Sequence, residues 1–144
     1  MLLENMFEER KVRKLPNVTG IDVAMNLIKK KELRQKRIWR TRKRVRGSAE
    51  KPRVCVHFSN KHIYAQLIDD EMGATLLSLT TLSGELREKD LRANVGGAET
   101  LGQLFGEKAK DLGLGKVVFD RNGRRYHGAV KAFADSARKA GLQF

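Results

Sequence analysis

Two stretches of this sequence are dense in residue types that do chemistry. The first is KKKELRQKRIWRTRKRVR, residues 29–46, where Lys29, Lys30, Lys31, Arg34, Lys36, Arg37, Arg40, Arg42, Lys43, Arg44 and Arg46 stand against one acid, Glu32. Such a run binds polyanions, because each phosphate it neutralises releases condensed counterions; it supplies affinity but no sequence information. A solvated helix face would interleave its charges, and this run does not. Trp39 inside it suits two roles, stacking on a base or packing on the domain. The second stretch is DRNGRRYHG, residues 120–128. Arg121, Arg124 and Arg125 add charge, Tyr126 and His127 add stacking faces and hydrogen bonds, and Asn122-Gly123 suits positive φ. A loop of this kind, leading through Gly128 into a helix, offers backbone N–H groups to phosphate. The plainer reading is an ordinary strand–helix loop with surface arginines. Its spacing is neither G-x-G-x-x-G nor that of a P-loop, which argues against a mononucleotide site.

The other reactive side chains point away from catalysis. His57, His62 and His127 with the single Cys55 make no zinc pattern, so neither metal nor cofactor is expected. Asp69, Asp70 and Glu71 suggest metal-dependent nuclease chemistry, but they fall together in a turn, where solvated acids sit. Asp120 reads as an orienting partner for an arginine, and Cys55 as strand packing. No small-molecule substrate and no enzymatic activity is expected.

The elements that position these residues follow from charge and periodicity. The chain has 144 residues and a net charge of +13. Residues 1–28 are neutral overall, 29–46 carry +10 and 47–144 carry +3. A polyanionic partner is implied, with nucleic acid ahead of an anionic membrane surface, and no apolar run is long enough to span a membrane. Three segments result: an extension over 1–24, a basic arm over 25–47, and a globular α/β domain over 48–144. In the extension, Pro16, Asn17 and Gly20 mark loop, Met25 offers an alternative start, and the pattern is that of neither a signal nor a transit peptide. The arm is rich in helix formers but self-repelling, so it should be frayed alone and helical on phosphates, with Gly47 as its stop.

In the domain, Arg53–Phe58 alternates. Val54, Val56 and Phe58 share one face, and Arg53, Cys55 and His57 share the other. A turn at Ser59–His62 leads to a strand at Ile63–Ile68, whose outward residues include Tyr64 and Gln66. Asp69–Gly73 turns again into a strand at Thr75–Thr81. Residues 82–93 read as loop. Ala98, Leu101, Phe105, Ala109 and Leu112 mark a helix face, with Asn94 as cap region and Gly113 as stop. A short strand, Lys116–Asp120, and a helix built on Val130, Phe133, Ala134 and Ala137 complete the chain. The fold class is α/β: a compact sandwich of a mixed sheet with two helices. The sheet is a three-stranded antiparallel meander plus one strand after a crossover helix, parallel to a meander strand. Arg53, His57, Tyr64 and Gln66 alternating outward suit either irregular RNA or a half-solvated sheet.

PRVCVHFSNKHIYAQLIDDEMG followed by VVFDRNGRRYHGAVKAFADSARKAGLQF strongly resembles the bacterial large-subunit ribosomal protein number eighteen, a 5S rRNA-binding family. The likeness covers residues 27–144. It implies a structural protein of the cytoplasmic ribosome that attaches 5S rRNA to 23S rRNA in the central protuberance, beside neighbouring large-subunit proteins. The arm Lys29–Arg46 would thread between RNA elements. The family's sheet and hairpin residues map to Arg53, Ser59, Asn60, Lys61, His62, Tyr64 and Gln66. Its strand–helix loop maps to Asp120, Arg121, Gly123, Tyr126, His127 and Gly128. Three positions depart from the family pattern: Asn122 replaces a usual glycine, Arg124 a common aromatic, and Ala129 a frequent arginine. The competing reading is a general basic nucleic-acid-binding protein without preference for 5S rRNA.

Overall fold

The computed structural model describes residues 20–144; the loop expected at Pro16 and Asn17, with most of the 1–24 extension, lies outside them. The chain divides into two compact units, residues 1–33 and 34–144. Helix α1, Gly20–Arg42, begins in the first unit and ends in the second. Gly20 is therefore helical rather than loop, and every residue from 20 to 33 is exposed. The helix stops at Arg42, short of Gly47. Its last turn tightens as the Arg44 and Val45 N–H groups both donate to the Thr41 carbonyl, at 2.9 and 2.8 Å. Gly47 has a different task from the helix stop expected of it. Its N–H donates to Asp70 Oδ2 at 2.8 Å and its carbonyl accepts from Asp70 N at 3.1 Å. A Cβ there would overlap Arg53 N and Ile68 O, so only glycine lets the chain pass this close to the sheet.

The sheet in unit 34–144 runs in the order β3-β2-β1-β4. Strands β1 (Arg53–Phe58), β2 (Ile63–Asp69) and β3 (Ala74–Thr80) form the antiparallel meander. Strand β4 (Val118–Asp120) pairs parallel with β1, with Cys55 opposite Asp120. A bulge between Leu67 and Ile68 shifts the β2–β3 register. The helices are α2 (Gly84–Glu88), α3 (Val95–Asp111) and α4 (Ala129–Lys139). The segment expected to be loop thus contains α2, which places Leu86 in the core. Asn94 caps α3 by accepting from Gly97 N at 2.8 Å. The helix closes at Asp111, which leaves Leu112 exposed rather than on the buried face.

Alternation puts Val54, Val56, Phe58, Ile63, Ala65 and Leu67 on one side of the sheet, where they form a single core with Leu101, Phe105, Ala109, Phe133 and Ala137. Phe105 and Phe133 are fully buried, with ring centroids 5.8 Å apart. Truncating either to alanine costs about 3–5 kcal/mol. One face of the sheet is thereby committed to α3 and α4. The candidate chemistry gathers where β1 and β4 end and the 121–128 loop leaves the sheet.

Candidate nucleic-acid interface

Arg53 is the main departure from the sequence reading. Expected to face outward toward RNA, it is buried, with 6% of its surface exposed. Its Nε and Nη2 donate to Asp70 Oδ2 and Oδ1 at 2.8 and 2.7 Å, and its Nη1 donates to Asp120 Oδ2 at 2.9 Å. Asp120 is fully buried, and the parallel β1–β4 register delivers it beside Arg53. Asp120 is thus an arginine's orienting partner, and the arginine is Arg53. Asp70 is held down to about 2, first by the hydrogen bond from Arg53 and further by the Gly47 N–H. Asp69, expected to be solvated, is buried and accepts from the Glu71 and Met72 N–H groups of its own turn. Local hydrogen bonds and one arginine therefore occupy Asp69 and Asp70, while Glu71 is exposed.

The same Asp120 starts the 121–128 loop. Its Oδ1 accepts from Asn122 N at 2.9 Å. Asn122 and Gly123 then take φ of +53° and +74°. Asparagine tolerates this left-handed region, so Asn122 can stand where the resembled family has glycine. At Gly123 a Cβ would lie 2.9 Å from Ile38 Cγ1 and 3.2 Å from Arg34 Cγ. The loop is therefore pressed against the last turns of α1. There Arg34 Nε and Nη2 each reach the Asn122 carbonyl at 3.4 Å. On the other side the Asn122 amide nitrogen lies 3.1 Å from His57 Nδ1. Arg124 donates through Nη2 to the Phe58 carbonyl at 2.6 Å, and its guanidinium sits 5.5 Å from the Phe58 ring centroid. At this position, where the resembled family has an aromatic, an arginine rests on an aromatic instead.

These contacts frame an open cleft of about 700 Å³. Arg34, Arg37, Arg121, Arg124, Arg125 and His127 supply its polar wall and Phe58 an apolar one, and among the described residues no carboxylate lines it. The crowding of positive charge is visible in the titrating groups. Burial, then Arg34 and Arg124, pushes His57 below the ordinary imidazole value. Burial, then Arg34, lowers Arg124. Like charges held together without a counter-charge relax only when an anion arrives, which is what a phosphate-binding surface requires.

The other expected contacts divide by location. Lys29, Lys30 and Lys31 are exposed on the first part of α1, in unit 1–33. Lys36, Arg37, Arg40, Arg42, Lys43, Arg44 and Arg46 are exposed in unit 34–144, as is Trp39. At the β1–β2 turn Asn60 and Lys61 are exposed. Ser59 and His62 instead hold the turn together. Ser59 Oγ donates to the His62 carbonyl and accepts from its N–H, while His62 Nδ1 lies 3.2 Å from Thr81 Oγ1. Tyr64 and Gln66 are exposed on the sheet face turned away from α3 and α4, and the Tyr64 ring lies 6.0 Å from that of His57. Tyr126 Oη accepts from Arg138 Nη1 at 2.8 Å, which anchors the ring near the end of the loop. Sequence reasoning did not join His57 or Phe58 to the loop. Asn122 lies 65 residues from His57, and only the β1–β4 pairing brings the two together.

Comparison with known proteins places this geometry in context. A family model described as ribosomal L18 of archaea, bacteria, mitochondria and chloroplast matches residues 28–144. The large ribosomal subunit protein uL18 of Thermotoga petrophila is 57% identical over 116 residues, covering 80% of this chain and 95% of that protein. The protein of the same name from Nitratidesulfovibrio vulgaris is 50% identical, covering 80% of this chain and 97% of its own length. The one from Caldicellulosiruptor saccharolyticus is 47% identical over 126 residues, covering 87% and 99%.

Proposed function

The chain belongs to the ribosomal L18 family, and we propose that, as a structural component of the large subunit of the cytoplasmic ribosome, it binds 5S rRNA and helps attach it to 23S rRNA in the central protuberance. Family membership makes it a structural ribosomal protein and not an enzyme. The observation that supports RNA as its direct ligand is the carboxylate-free cleft ringed by Arg34, Arg37, Arg121, Arg124 and Arg125.

The labour divides by element. The cations of α1 and of the turn after it neutralise phosphates and supply most of the affinity, with strong salt dependence. The 121–128 loop is pinned by Asp120 through Asn122 N and by Arg138 through Tyr126. A loop anchored in this way, with arginines and a histidine, selects RNA shape and unstacked bases. The exposed Trp39, Tyr64 and Tyr126 rings offer stacking faces. Neighbouring proteins of the central protuberance complete the set of partners.

A competition assay tests this reading. Labelled 5S rRNA bound to the chain should be displaced by unlabelled 5S rRNA and not by the same amount of a length-matched scrambled RNA. Equal displacement by both overturns it and leaves a general basic nucleic-acid-binding protein.

A further inference from the structure

We infer that His57, Arg34 and Arg124 make one phosphate site, in which arrival of the phosphate brings a proton onto His57. This rests on the RNA-binding reading and adds to it a proton-linked contact. Three elements converge on the site: α1 brings Arg34, β1 brings His57, and the loop brings Arg124. Asn122 ties the first two together, and Arg124 is held at the carbonyl of Phe58, next in the chain to His57. The Asn122 carbonyl takes Arg34, and its side-chain amide meets His57 Nδ1. Among the described residues none of the three cationic groups belongs to a salt bridge. Arg34, Arg124 and Asn122 face His57 from α1 and the loop, and Tyr64 faces it from β2; among the described residues no carboxylate does.

The chemistry follows from that arrangement. Burial, and after it the guanidinium charges of Arg34 and Arg124, disfavour the protonated imidazole and hold His57 below its ordinary value in the free protein. With the Asn122 amide nitrogen as donor to Nδ1 of the neutral ring, the single imidazole proton sits on Nε2. A phosphodiester held between Arg34 and Arg124 offsets the repulsion and accepts from Nε2–H. A solvent proton then adds to Nδ1, and Asn122 turns its amide so that Oδ1 accepts the new N–H. The complex thus binds more protons than its free components. Affinity rises as pH falls through the interval between the higher imidazole pKa of the complex and the lower one of the free protein, and it is level on either side.

The test is the affinity of the whole chain for labelled 5S rRNA and for a length-matched control RNA, at fixed ionic strength, from about pH 5.5 to about pH 8. Affinity should fall with rising pH by up to roughly tenfold per unit within the window. His57→Gln, an exposed site where folding is retained, should lose most of that slope. The His57 ring resonances should titrate at a higher pH with RNA bound than without. A parent without a pH slope, or a His57→Gln variant with the same slope, overturns the inference while RNA binding stands. Absence of binding to either RNA at every pH overturns both.

Discussion

Replacing Arg53 separates a structural arginine from an RNA-contacting one. In Arg53→Met the stem is kept and three charge-assisted hydrogen bonds are lost, two to Asp70 and one to Asp120. Asp70 retains partial access to water, with 26% of its side chain exposed, and the Gly47 N–H still reaches it. Asp120 keeps the Asn122 N–H but has no access to water. Its side chain is fully buried, and its next cation, Arg42 Nε, lies 3.9 Å from Oδ2. Breaking one half of a buried pair costs about 3–5 kcal/mol, because the remaining charge stays desolvated. With a urea m-value of about 2 kcal/mol/M, a loss of about 4 kcal/mol moves the midpoint down by about 2 M. That is a large part of the ~5–15 kcal/mol that holds a typical domain. Adding Asp70→Asn and Asp120→Asn to Arg53→Met removes the stranded charges and should recover part of the loss. The assay is urea unfolding by circular dichroism, paired with RNA binding under conditions where each variant is folded. Affinity should change little, since Arg53 is nearly fully buried and its guanidinium is committed to Asp70 and Asp120. A variant within about 0.5 kcal/mol of the parent would refute the reasoning. So would unchanged stability with a tenfold loss of RNA affinity, which would restore Arg53 to the role its sequence pattern suggests.

Gly123→Ala forces an L-residue to φ of +74° against Ile38; it should cost about 1–2 kcal/mol in urea unfolding and weaken RNA binding by displacing Arg124. Because Asp70 is held down to about 2 by Arg53, below the ordinary carboxylate value, its contribution to stability is complete above about pH 4 and is lost as pH falls toward 2. Acid titration of unfolding should show that loss in the parent and much less of it in Asp70→Asn. Arg37→Gln and Arg40→Gln, both exposed on α1, should each flatten the slope of log affinity against log salt by about 0.7–0.9 on every RNA tested. Asn94→Ala removes the α3 cap that accepts from Gly97 N and should cost about 1 kcal/mol in the same unfolding assay.

How much of this was legible in the sequence depends on how far apart the cooperating residues lie. The faces of β1 and β2 were readable because period-2 alternation is local, and α3 and α4 because their apolar residues recur at helical spacing. The parallel placement of β4 followed from the crossover rule, and the order β3-β2-β1-β4 agrees with it. Arg53 was misplaced because alternation assigns a face without saying what covers it; the covering groups, Asp70 and Asp120, lie 17 and 67 residues away. The end of α1 was set too late for a similar reason. Composition favours helix through Arg46, but the backbone bonds between Gly47 and Asp70 draw the chain out of the helix toward the sheet. Within the interface the arginines of the 121–128 loop were plain in the sequence. Their arrangement around Phe58 and His57 was not, because it arises from the left-handed Asn122-Gly123 turn and the contact with α1.

The most direct measurement is equilibrium binding of the whole chain to 5S rRNA and to a length-matched control RNA across a salt series. Affinity for both should fall as salt rises, since the cations of α1 contact any backbone. The preference for 5S rRNA should persist or widen, because the loop and cleft contribute contacts that counterions do not displace. Two parallel lines of equal affinity would contradict 5S rRNA recognition and reduce the protein to its charge.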